Sequence, residues 1–180
     1  MVLEFNPVGH EYRADGVKIP SVTQIVSAIY GAFPSIDPEP ADRGTYIHEL
    51  CFEYLRTGSY ETDDTECLRY LRAFMKWVCE REIVLPAPEL IGKRILYRGY
   101  AGTPDIVGDS TIIDIKTGIE QPQRDHMQLI GYQAGNKKIL TENLYLRPNG
   151  TYEIKRRKYN ARLWRIFQAQ VMILNHTRRY

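Results

Sequence analysis

The stretch GTPDIVGDSTIIDIKTG, residues 102–118, carries the reading of this chain. Gly108, Asp109 and Ser110 mark a turn between two short apolar runs. With Asp109 and Ser110 as the loop, Gly108 opposes Thr111, Val107 opposes Ile112 and Asp105 opposes Asp114. Residues directly opposite in an antiparallel pair hold their Cβ atoms about 4.5–5.5 Å apart. Two carboxylates therefore meet on one face, and they repel unless a cation lies between them. Side chains alternate along a strand, so Lys116 shares the face of Asp114. Ile113 and Ile115 then point the other way, into a core. Two carboxylates and a lysine suit a hard cation such as Mg2+ or Mn2+. Such an ion activates water and stabilises charge on a phosphate, and a lysine adds positive charge nearby. A D-x-K triplet alone is more often a surface salt bridge than a site, so its neighbours have to be weighed.

Outward from this stretch, the period of the apolar residues changes twice. Glu89–Tyr97, Gly99–Val107 and Thr111–Lys116 read as three strands, and Pro122–Leu140 as a helix. Gln128 and Tyr132 on that helix are four apart and share a face. Asn143–Arg147 and Thr151–Lys155 read as a hairpin across Pro148-Asn149-Gly150. Asn160 caps a last helix with Leu163, Ile166, Phe167, Gln170, Val171 and Leu174 on one side. Upstream, Leu3–Ile19 reads as a short hairpin, and Ser21 caps a helix carrying Val22, Ile25, Val26 and Ile29. Gly31–Pro40 reads as a loop. Helices follow at about Ala41–Arg56, with His48 in its middle, and at about Asp63–Glu82. Helices before and after a mixed sheet predict an α/β sandwich.

The chain has 180 residues, 43% hydrophobic and 26% charged, which fits one globular domain with its own core. No run approaches the roughly 18–20 apolar residues of a membrane span. The N-terminus MVLEFNPVGHEY lacks the basic-then-apolar pattern of a secretory signal. Cys51, Cys67 and Cys79 are scattered, with no CxxC pair. They fit small packed apolar residues in a reducing cytoplasm rather than a disulfide framework or a zinc ribbon. The net charge of +2 is unevenly spread. From Arg147 onward there are nine basic residues and one acid, whereas the first 146 residues carry fifteen basic and twenty-one acidic. Such a basic segment suits a phosphate backbone, although it also suits a solvated helix face.

Five motifs in order, IPSVTQIVSA, RGTYIHEL, GTPD, IIDIKTG and QLIGY, resemble the PD-(D/E)xK nuclease superfamily, in its RecB-like and lambda-type exonuclease branch. The likeness spans about residues 19–135. It implies a restriction-endonuclease-like α/β sandwich: a mixed central sheet flanked by helices, with an N-terminal hairpin and helical segment. The whole of 1–180 would be one nuclease domain. Residues 1–85 hold the hairpin, helices and motif histidine, 86–140 the catalytic core, and 141–180 a hairpin and basic helix. By the resemblance, His48, Asp105, Asp114 and the backbone carbonyl of Ile115 hold one or two Mg2+ or Mn2+ ions. Asp105, Asp114 and Lys116 are catalytic. Gln128 and Tyr132 contact DNA or support the lysine. Glu89 stands where some relatives carry an acid. Relatives that carry an iron–sulfur cluster use four cysteines, three of them near the C-terminus; no cluster is expected here.

The function these features imply is a metal-dependent deoxyribonuclease, an exonuclease by its branch, acting in phage or bacterial DNA recombination, repair or processing. DNA with single strands or free ends is the expected partner, alongside a recombination or single-strand-binding protein. Arg156, Arg157, Lys158, Arg162 and Arg165 are the candidates for a backbone track. Two other readings stand beside it: a structure-selective endonuclease or ribonuclease, and a non-catalytic DNA-binding scaffold on a relic fold. Polarity, strand preference and oligomeric state are open at this point.

Overall fold

The computed structural model describes residues 2–7, 9–31, 38–81 and 90–177, with the backbone alone for 38–41. The N-terminal segment is a three-stranded antiparallel meander, β1 (Leu3–Asn6), β2 (Glu11–Ala14) and β3 (Val17–Ile19), rather than a two-stranded hairpin. The extra strand forms because Glu11–Ala14 pairs on both sides, opposing β1 and β3 at once. Ser21 then caps α1 (Val22–Tyr30): its hydroxyl accepts from Gln24 N, and the Gln24 side chain accepts from Ser21 N. This reciprocal box satisfies two helix-end donors.

Helix α2 (Pro38–Thr57) starts earlier than its periodicity indicates. Proline is tolerated in a first helical turn, where its missing N–H has no intrahelical partner to lose. Asp64 caps α3 (Thr65–Glu80) by accepting from Glu66 N and Cys67 N. Of the strand expected over Glu89–Tyr97, the described residues form only β4 (Ile95–Tyr97) and a single bridge from Ile91 to Ile106. β4 pairs with β5 (Tyr100–Gly102) as a hairpin outside the central sheet. The strand expected over Gly99–Val107 breaks at Thr103–Asp105 into β5 and β6 (Ile106–Val107). Pro104 has no N–H for a ladder, which confines proline to strand margins.

The central sheet runs β6-β7-β8-β9, with β7 (Thr111–Lys116), β8 (Leu140–Leu146) and β9 (Tyr152–Arg157). β6 and β7 are antiparallel in the expected register, Ile106 opposite Ile113 and Val107 opposite Ile112. β7 and β8 are parallel, joined by α4 (Pro122–Gln133), and β8 and β9 are antiparallel. α4 ends well before Leu140, because Ala134 turns left-handed (φ 49°) and its N–H bonds back to Gly131 O. Leu140 then enters β8. Asn160 Oδ1 accepts from Arg162 N and Leu163 N and so caps α5 (Ala161–Thr177).

Period 2 sorts the sheet residues into two layers. Ile113, Ile115, Leu144 and Leu146 pack with α2 and α3 residues such as Ile47, Leu50, Phe74 and Trp77. Ile112 lies on the other side, with α1, α4 and α5 residues such as Ile25, Met127, Ile130 and Phe167. The molecule is therefore a helix–sheet–helix sandwich, as expected. Cys51 and Cys67 are buried, but Cys79 is exposed near the end of α3, against the expectation that all three pack inside. No helix among the described residues is long and apolar enough to cross a membrane.

Candidate active site

The sheet face that turns away from Ile113 and Ile115 carries Asp114 and Lys116, and on the neighbouring strand Asn143 pairs in register with Asp114. One cleft of about 160 Å³ gathers His48, Asp105, Asp114, Lys116, Gln128 and Tyr132. Three elements, α2, β7 and α4, and the bend after β5 thus bring these six side chains together. Glu89 lies outside the described residues.

Asp105 does not continue the β6 ladder, although the register places it opposite Asp114. Its side chain replaces the ladder: Oδ2 accepts from Ile115 N at 2.6 Å. The register would set Ile115 against Pro104, so the aspartate takes a donor that the broken strand would otherwise use. The other oxygen, Oδ1, lies 3.2 Å from His48 Nδ1. Burial would lower the pKa of His48, but the carboxylates, Asp105 above all and Asp114 with it, raise the net value.

Asp114 is only 3% exposed. Burial raises its pKa, Lys116 pulls it down and Asp105 pushes it up again, with a net rise. Its oxygens are shared among three neighbours. Lys116 Nζ stands 2.8 Å from Oδ2, Asn143 Nδ2 donates to Oδ2 at 3.2 Å, and Gln128 Nε2 donates to Oδ1 at 3.1 Å. Lys116 also donates to Gln128 Oε1 at 2.8 Å. Burial would lower the lysine pKa, yet Asp114 raises it overall, so the side chain stays an ammonium at neutral pH. Gln128 is the clamp: one amide oxygen orients the lysine while the amide nitrogen holds Asp114 and reaches Tyr132 Oη at 3.1 Å. Gln128 thus contacts the lysine and the carboxylate directly, and Tyr132 acts on them only through Gln128.

Two glycines of the motifs are explained by close approach. A Cβ on Gly102 would lie 2.8 Å from the Tyr132 ring and 2.9 Å from Val22. One on Gly131 would lie 2.7 Å from the Phe167 ring. Both keep α4 tight against its neighbours, which fixes Gln128 over the sheet.

Sequence reasoning missed Asn143, which is fully buried and links the site to β9. Its Oδ1 accepts from Arg157 Nε at 3.2 Å, and Arg157 also pairs with Glu120 at 3.1 Å. Tyr12 was missed as well; its hydroxyl lies 2.6 Å from Thr103 Oγ1 at the cleft edge. The basic segment divides accordingly. Arg157 braces the site, and Arg156 is paired with Glu142 at 2.9 Å. Lys158, just before α5, and Arg162 and Arg165 in its first turns remain exposed. Trp164 stacks on Phe167 at 5.9 Å and packs into the protein.

The donor set of two carboxylates and an imidazole fits a hard divalent cation in kind. It is not a preformed cage: among the described residues no three His, Cys, Asp or Glu side chains stand grouped as metal ligands. Asp114 is turned to Lys116, Gln128 and Asn143, and would have to share those partners with an ion.

No protein-family profile and no curated protein sequence matches the chain. Solved structures do. LHK-Exo in complex with dAMP superposes with a TM-score of 0.52 at 17% identity, over 89% of this chain and 88% of its own. The structure of LHK-Exo described as an alkaline exonuclease from Laribacter hongkongensis gives 0.51 at 15% identity, over 88% and 87%. A phage-related exonuclease from Haemophilus somnus 129PT gives 0.51 at 11% identity, over 86% and 90%. The chain shares the fold of these exonuclease structures. At these identities the likeness is one of backbone architecture. On this fold the cluster around Asp114 sits where a strand, a bend and two helices converge.

Proposed function

We propose that the chain is a divalent-cation-dependent deoxyribonuclease, working as an exonuclease on DNA with free ends or single strands. One observation carries the reading: Asp105, Asp114 and Lys116 meet His48 and Gln128 in a single cleft on a nuclease fold. A buried carboxylate beside a second carboxylate is costly without positive charge, and such arrangements cluster at functional sites.

In this reading His48, Asp105, Asp114 and the Ile115 carbonyl would hold Mg2+ or Mn2+, which would neutralise charge at the phosphate and make water a better nucleophile. Lys116, kept protonated by Asp114, places an ammonium where negative charge grows on the phosphate. Gln128 holds that ammonium in place, and Tyr132 braces the amide of Gln128. Asp105 ties its own geometry to the β7 backbone, so the two carboxylates stay in fixed relation. Lys158, Arg162 and Arg165 extend a positive surface for the phosphate backbone, which makes binding salt-sensitive. The dAMP held by LHK-Exo accords with a nucleotide-sized product. The cytoplasm of a bacterium or phage-infected cell, and a role in DNA recombination, repair or processing, belong to this same proposal.

Digestion of end-labelled linear and closed circular DNA, single- and double-stranded, tests it. With Mg2+ or Mn2+ the linear forms are shortened from an end; EDTA and Asp114→Asn abolish this. Cutting that survives EDTA removes the cation, and cutting of closed circles removes the exonuclease label.

A further inference from the structure

The cleft has a wall that the carboxylate–lysine cluster does not use. It comes from the N-terminal meander, which sends His10 and Tyr12 into the same cleft as Asp114 and Lys116. The His10 ring lies edge-on to Phe5 at 5.2 Å and to Tyr12 at 5.6 Å, both at 85°. Phe5 and Tyr12 are themselves 4.8 Å apart. Tyr12 is locked by its hydroxyl on Thr103 and is only 1% exposed. The Arg94 guanidinium lies 4.5 Å over the Phe5 ring and stiffens the assembly from behind.

The local core explains part of this cluster. Tyr12 packs with Ile19 and Ala101, and Phe5 joins them. It does not explain His10, which is exposed to solvent on the rim and held at φ 51°. A residue with a Cβ adopts that backbone sparingly, histidine more readily than most. An imidazole is thus presented to the cleft by a rigid aromatic base.

Charge narrows what such a ring can receive. Partial burial lowers the His10 pKa, so the ring is neutral at pH 7–8 and a weak ligand for phosphate. A neutral aromatic ring offers a stacking surface and a hydrogen-bonding nitrogen. The complementary chemistry is a nucleobase, and the base must be unpaired to bring its face to the ring.

We propose that His10, braced by Phe5 and Tyr12, is a subsite for one unpaired nucleobase, the base of the nucleotide whose phosphate faces Asp114 and Lys116. The inference rests on the nuclease reading and adds to it a contact with the base. It assigns the meander a part in substrate binding and gives the site a reason to prefer a frayed or single-stranded end over intact duplex.

Calorimetric titration of the full chain with deoxyadenosine 5′- and 3′-monophosphate, each against the matching deoxyribose phosphate in Mg2+, tests it. The wild type binds one of the nucleotides about tenfold more tightly than its base-free counterpart. His10→Gly, which takes a positive φ without strain, brings that ratio close to one. His10→Phe keeps most of it by restoring a ring. An unchanged ratio in His10→Gly overturns the subsite, as does a parallel loss of both ligands. A wild type that cuts DNA yet shows no base preference overturns the subsite alone. A wild type that neither cuts DNA nor binds a nucleotide overturns the nuclease reading with it.

Discussion

Replacing Asn143 by aspartate changes one atom's chemistry at the centre of the site and leaves its shape almost untouched. The native amide donates to Asp114 Oδ2 at 3.2 Å and accepts from Arg157 Nε at 3.2 Å. Asn143→Asp keeps the acceptor for Arg157 but turns the donor into a second carboxylate facing Asp114. A hydrogen bond to a charged group contributes about 1.5–3 kcal/mol. Two ionised carboxylates at about 4 Å repel by roughly 4 kcal/mol at an effective dielectric near 20. The pair avoids most of that repulsion by retaining a proton, at about 1.4 kcal/mol per pKa unit, and Arg157 offsets a little more. The variant should therefore lose about 3 kcal/mol at pH 8, or roughly 6–12 °C in Tm for a chain of this size. The shared proton raises the folded-state pKa above the unfolded value. Stability then falls as pH rises through the folded value and recovers on acidification. Thermal unfolding at pH 8 and pH 5, with Asn143→Ala as a reference lacking the added charge, reads both effects. An Asn143→Asp protein as stable as the wild type at pH 8, or one whose deficit does not shrink toward pH 5, would refute the assignment of Asn143 as the donor that holds Asp114.

Other outcomes follow from the same geometry. Gly102→Ala forces a methyl against Tyr132 and Val22, costs about 1–3 kcal/mol in urea unfolding, and slows DNA cutting by displacing the tyrosine that braces Gln128. The Asp105 carboxylate raises the folded-state pKa of His48 above its ordinary 6.5. That pair therefore stabilises fully below pH 6.5 and fades as pH climbs through the folded value; His48→Gln flattens the stability profile above that point, and an unaltered profile speaks against the pairing. Native-state titration with a thiol reagent should find Cys79 fast, and Cys51 and Cys67 protected until the chain is unfolded. Burial also holds the Cys51 thiol well above its usual pKa and that of Cys67 up to about 11, so neither is a ready thiolate.

The parts of this fold legible in the sequence are those governed by a short period. The alternation in TIIDIK sends Ile113 and Ile115 to one layer and Asp114 and Lys116 to the other, and the Asp109-Ser110 turn sets the β6–β7 register. Helical spacing likewise places Gln128 above Tyr132 on one face of α4. What was not legible arises from contacts far apart in the chain. Asn143 lies in the strand LTENLYL with no motif around it, and only parallel pairing across α4 brings it beside Asp114. Tyr12 and His10 reach the cleft because the meander packs on the β4–β5 hairpin, a contact with no local signature. The early break in the second strand and the early end of α4 have backbone causes, Pro104 in one case and a left-handed Ala134 in the other. Alanine at such a position gives no signal of its own, since glycine or asparagine is the usual residue there. The charge asymmetry was visible, but not its division: Arg156 and Arg157 answer acids, Glu142 and Glu120, that lie outside the basic segment.

The central claim is that Lys116, held by Asp114 and Gln128, acts on a DNA phosphate. The most direct measurement is the single-turnover rate of linear DNA cleavage in Mg2+ for the wild type and for Lys116→Met, which keeps much of the side-chain volume without the ammonium. The account predicts a fall of about a hundredfold or more, the usual scale for removing one group that stabilises transition-state charge. Equal rates for the two proteins would contradict it.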